Sequence, residues 1–120
     1  MQQELRITFR NMDVSETLEQ RIRALAAGLD HICDRITACS VVVEAHHRHP
    51  NQAKTFHVHV DLTVPGRIIV VRREPGEHHA HDDAYAAARS AFDSARRQLE
   101  DHMQVVRGEV KAHTKTPQTV

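Results

Sequence analysis

Five of the chain's eleven histidines fall in the stretch EAHHRHPNQAKTFHVHVDL, residues 44–62. Imidazoles beside carboxylates are the donors that divalent zinc and nickel take. Within the stretch His57, His59 and Asp61 alternate, and on a β-strand alternate residues share one face about 7 Å apart. These three are the candidate metal ligands, with the loops HHRHP (46–50) and EHHAH (77–81) able to lend another. The set is thin, because H-x-H supplies two good donors where a structural zinc site takes four with a supporting outer layer. The bland reading is that a strand with one face in water needs polar residues at alternate positions whether or not they bind anything. The sequence implies no resident metal and no cofactor.

Catalytic patterns are absent from the string: it contains no glycine-rich phosphate loop, no G-x-S-x-G elbow and no H-E-x-x-H helix. Cys33 or Cys39 with a histidine would make a nucleophilic pair, but both sit among apolar residues, where a thiol is usually structural. An enzyme is not expected. The two cysteines form no disulfide framework, and nowhere do eighteen apolar residues run together, so a reduced cytoplasmic protein away from the membrane is the expectation. Sixteen basic residues balance sixteen acidic ones, which gives no global attraction to nucleic acid; any charged site is local. With three phenylalanines, one tyrosine and no tryptophan, a surface that stacks unpaired bases is also not expected.

The elements that must position these groups follow from hydrophobic period. ELRITF alternates Leu5, Ile7 and Phe9 against Arg6 and Thr8, as a half-buried strand does. The period then becomes helical through Val14, Leu18, Ile22, Leu25 and Leu29, with Asp13 or Ser15 as cap. ITACSVVVEA is a buried strand, TFHVHVDLTV alternates strictly, and Pro65-Gly66 turns the chain into RIIVVRR. From Asp82 or Asp83 a second helix carries Tyr85, Ala88, Phe92, Ala95, Leu99, Met103 and Val106 on one stripe. One domain over residues 1–107 with a loose tail over 108–120 is the expectation. The order β-α-β-β-β-α, with one apolar stripe per helix, predicts an α+β two-layer sandwich: a four-stranded mixed sheet with both helices on one face. Phe56, Val58, Val60 and Leu62 should then be buried, and His57 and His59 should face outward.

That architecture puts the arginines in a telling place. Arg89 and Arg96, seven residues apart, lie beside the second helix's stripe, with Arg97 further round; on the first helix Arg21 flanks the stripe and Arg23 faces out. Side by side on a sheet, the helices would border a groove with guanidinium groups fit to cradle phosphates. Asp93, Glu100 and Glu19 share these surfaces, so an ion-paired solvated face is the competing reading.

DDAYAAARSAFDSARRQLEDH (82–102) resembles the D-M-Y-x-A-I-D…R-Q-L-x-K-H helix of the ribosome hibernation-promoting factors and the related protein Y. ITFRNMDVSETLEQRI (7–22) is similar to that family's first strand and helix, and the resemblance extends over residues 4 to about 103. It implies a cytoplasmic, non-catalytic protein that lodges on the small ribosomal subunit at the decoding region and silences translation under stress. Its partners would be that subunit and its ribosomal RNA, with neither DNA nor membrane. It also implies that basic residues of the two helices hold RNA phosphates: Arg97 takes the arginine of R-Q-L, with Arg89, Arg96, Arg21 and Arg23 as neighbours. Lysines common in the family are replaced here by Leu25, Gly28, Ser94, Asp101 and Met103, and the length suggests a short form.

Overall fold

A computed structural model describes residues 5–46, 55–72 and 83–115, with side chains described as far as residue 108. Strand β1 (Leu5–Arg10) leads through Asn11, which takes the left-handed conformation (φ 58°) that asparagine tolerates, into helix α1 (Glu16–Leu29). Ser15 is the cap: its hydroxyl accepts the Leu18 N–H at 3.2 Å. Strands β2 (Ala38–His46), β3 (Thr55–Val64) and β4 (Arg67–Arg72) follow, then the long helix α2 (Ala84–Lys115). Asp83 starts α2, its carboxylate accepting the Tyr85 N–H at 3.0 Å. Between β3 and β4 proline fixes the first turn residue, so Gly66 supplies the positive φ, 83°.

The sheet order is β1-β2-β3-β4, with β1 and β2 parallel and the other neighbours antiparallel, as the crossover through α1 requires. One sheet face presents Cys39, Val41, Val43 and Ala45 of β2, Val58, Val60, Leu62 and Val64 of β3, and Ile69 and Val71 of β4, all buried. Both helices close over it, α1 with Leu18, Ile22, Ala26 and Leu29 and α2 with Ala87, Ala88, Ala91, Phe92, Ala95 and Leu99. The small residues of α2 let its backbone lie close to the strands. The expected α+β sandwich is therefore the fold.

Register fixes the other face: Arg10, Glu44 and His57 form one cross-strand row, and Thr8, Val42, His59 and Arg72 the next. A third row runs Arg6, Ser40, Asp61, Val70.

Four expectations are corrected. His57 does point to the open face, opposite Glu44, but it is buried, at 3 % exposure, where an outward, solvent-exposed histidine was expected. The His46 ring stands edge-on to it at 4.4 Å between centroids and helps to cover it. Phe56 is half-buried against the core rather than enclosed. Val14 is 67 % exposed because the cap at Ser15 leaves it outside α1; Ala26 completes the stripe instead. The second helix does not end before Gly108 but runs to Lys115. One glycine costs a helix about 1 kcal/mol relative to alanine, too little to stop a helix when Glu109, Lys111 and Ala112 follow.

Candidate nucleic-acid interface

The two helices lie side by side and leave a groove, lined near its middle by Ala24, Leu25, Gly28 and Leu29 of α1 and Phe92, Asp93 and Arg96 of α2. Seven residues make nearly two helical turns, so Arg89 falls on the same side of α2 as Arg96. Further along, Arg107 borders a second hollow with His31, Ile32, Glu100, Met103 and Gln104. At the opposite end the Arg21 guanidinium lies over the Tyr85 ring, 4.6 Å from its centroid. Arg21, Arg89, Arg96 and Arg107 thus line one side of the helical layer, interspersed with Asp93 and Glu100.

Arg107 is the residue that sequence reasoning passes over. Its signal is spacing, since eleven residues from Arg96 is about three turns and returns to the same face. Arg97 lies outside the groove: one residue on from Arg96 is about 100° round the helix, and its guanidinium donates to the Ser94 hydroxyl at 3.4 Å. Arg23 is likewise turned away, about 200° round from Arg21, and pairs with Glu19 at 2.9 Å. Of the five arginines singled out from the sequence, Arg21, Arg89 and Arg96 share the groove side, whereas Arg97 and Arg23 are exposed elsewhere.

Two residues of α1 differ in how they meet the groove. Leu25 lies half-buried against the core, while Gly28 is exposed on the groove wall, with no atom within 4 Å of where a Cβ would stand. The groove wall at Gly28 therefore has open space for a larger side chain.

The histidine face assembles differently. His57, His59 and Asp61 share the open face as alternation requires, but among the described residues no three His, Cys, Asp or Glu side chains come together to hold a metal ion. His57 is packed against His46, whose Nε2 is 3.6 Å from a Glu44 carboxylate oxygen. The other histidines of the two loops lie outside the described residues. Both cysteines are buried and free. Burial, helped by the charges of Asp61 and Asp30, pushes the Cys39 thiol up to about 12, so at neutral pH it is no nucleophile.

Strand order, register and an open groove between two helices on one sheet face define a small α+β sandwich domain. The chain belongs to the family described as Sigma 54 modulation protein / S30EA ribosomal protein, which matches residues 5–107. Among its relatives, the ribosome hibernation promotion factor of Deinococcus radiodurans is 38 % identical over 90 residues, 75 % of this chain and 44 % of that protein. The chain thus matches less than half the length of that relative. The same fold occurs in the Protein Y N-terminal domain of Thermus thermophilus (TM-score 0.64, 20 % identity, 85 % of this chain and 99 % of that one). It occurs again in a ribosomal subunit interface protein of Coxiella burnetii (TM-score 0.63, 19 % identity, 83 % and 97 %). No helix among the described residues is long and apolar enough to cross a membrane.

Proposed function

We propose that this chain is a ribosome-associated hibernation factor. It binds the small subunit near the decoding region in the cytoplasm and holds translation off under stress, without catalysing a reaction. The observation that carries the reading is the family match over residues 5–107. Arg21, Arg89 and Arg96 on one side of the helical layer give it a physical means, with Arg97 on the outer surface of α2. Guanidinium groups keep their charge at any relevant pH and bind phosphate oxygens in pairs. The alternative, a divergent member of the fold acting as a histidine-rich metal- or protein-binding module, has in its metal form no assembled ligand set among the described residues to favour it.

Pelleting with ribosomes across a salt series tests the proposal. The parent protein should sediment with small subunits at low salt and release as salt rises. Alanine at Arg89, Arg96 and Arg97 together should weaken binding and lower the slope of log affinity against log salt by roughly 0.7 to 0.9 per lost phosphate contact, without unfolding the domain. Gly28→Lys, which restores a family charge at a position with open space around it, should do the opposite and strengthen binding. A parent that stays in the supernatant at every salt concentration sinks the proposal. A triple variant that pellets like the parent removes the α2 arginines from the interface.

A further inference from the structure

The end of the interhelical groove where both helices begin is built differently from its middle. A hollow of about 360 Å³ opens there between Met12, Ser15, Thr17, Leu18 and Arg21 on one side and Asp83, Ala84 and Tyr85 on the other. Arg21 is exposed, and among the described residues it pairs with no carboxylate, in contrast to Arg23 two residues on. Its guanidinium lies over the Tyr85 ring, 4.6 Å from the centroid, and Tyr85 itself is packed against the core. A long flexible side chain on a surface ordinarily loses rotamer freedom when it binds a ligand. Stacking on a ring that the core holds still removes part of that loss beforehand and leaves the guanidinium edge free to donate hydrogen bonds. Among the described residues Asp83 is the one carboxylate that lines the hollow, and it already accepts the Tyr85 N–H of its own helix at 3.0 Å.

From this geometry we infer that Arg21, held over the Tyr85 ring, forms a discrete phosphate subsite at the mouth of the groove, which takes a backbone phosphate of RNA. Tyr85 is the positioning residue and Arg21 the contact. The inference rests on the ribosome-bound reading above and adds to it a site and a second residue with a separate role. It also assigns the two exposed arginines of α1 different fates: Arg21 binds, and Arg23 serves only its ion pair.

Pelleting with ribosomes across a salt series is again the measurement, now on Arg21→Ala, Tyr85→Phe, Tyr85→Leu and the pair Arg21→Ala/Tyr85→Leu. Arg21→Ala should weaken binding about tenfold and lower the salt slope by roughly 0.7 to 0.9. Tyr85→Phe keeps the ring and should bind like the parent, whereas Tyr85→Leu should lose several-fold. The double variant should be no weaker than Arg21→Ala alone, because the ring acts only through the arginine. Thermal melts of the free variants identify any that fail to fold, and Arg21→Ala and Tyr85→Phe, both mild changes, decide the matter if Tyr85→Leu does. Parent-like binding by Arg21→Ala, a Tyr85→Phe loss equal to that of Tyr85→Leu, or fully additive losses in the double variant each overturn the subsite while leaving the ribosome-bound reading intact. A parent that does not pellet overturns both.

Discussion

The two faces of the sheet use the same four strands under different rules. On the covered face alternation alone decides burial: every second residue from Cys39 to Ala45 and from Val58 to Val64 is enclosed, because two helices lie over the whole row. On the open face His57 is 3 % exposed and Ile68 61 %, although both obey the same alternation. His57 sits on β3 opposite Glu44 of β2, with the His46 ring against it. Ile68 sits on the edge strand beside the Pro65-Gly66 turn, with strand pairing from one side. A covered face therefore follows the sequence period, and an open face follows which large side chains happen to stand side by side.

The largest test of that contrast is a pair of truncations. Leu99→Ala empties a fully enclosed position where α2 meets the sheet and should cost about 2–5 kcal/mol of unfolding free energy. His59→Ala, half-exposed on the open face, should stay within about 0.5 kcal/mol of the parent. Urea titrations of both, read by far-ultraviolet circular dichroism, give the two numbers. If His59→Ala costs as much as Leu99→Ala, the open face is a second packed layer and the contrast collapses.

The same contrast explains what was legible beforehand. Leu18, Ile22, Leu29, Phe92 and Leu99 announce themselves by spacing, and the strand order follows from crossover handedness and one short turn. His57 could not be read in this way, because its burial depends on the ring of His46, which cross-strand register brings diagonally beside it. The arginines divide likewise. Spacing placed Arg89 and Arg96 beside the stripe, but the Arg21–Tyr85 stack joins two helices 64 positions apart in the chain and needs their relative placement. Arg107 carries a spacing signal from Arg96, but its place beside His31 and Ile32 again needs the relative placement of the two helices.

Cys39 gives an intermediate effect on the covered side. Burial raises its thiol from an ordinary 9.0 to about 12, so between those values the unfolded chain loses the thiol proton and the folded chain keeps it. The unfolded state then binds fewer protons, and stability falls as pH rises through that window, by up to about 1.4 kcal/mol per pH unit. Well below pH 9.0 both states keep the proton and this thiol contributes no slope. Chemical denaturation at several alkaline pH values, compared with Cys39→Ala, should show a steeper loss in the parent than in the variant. Equal slopes would mean that the thiol is better solvated than its position in β2 implies.

The smallest expected effect belongs to the open face, and it is the one that settles the histidines. A bound metal stabilises a fold by a term that grows with its concentration over its dissociation constant, so removing a tightly held ion lowers the melting temperature. A loss of 1 kcal/mol would appear as a drop of roughly 4 °C in a domain of this size. Here His57 is packed against His46, and His59 and Asp61 do not join it in a three-ligand cluster. Adding a strong chelator should therefore move the melting temperature by less than about 1 °C, within the scatter of repeated scans. A fall of many degrees, restored by adding zinc or nickel back, would make the histidine face a metal site after all. Repeating the melt with His57→Ala would then tell whether His57 supplies a ligand or whether the metal is held by other residues.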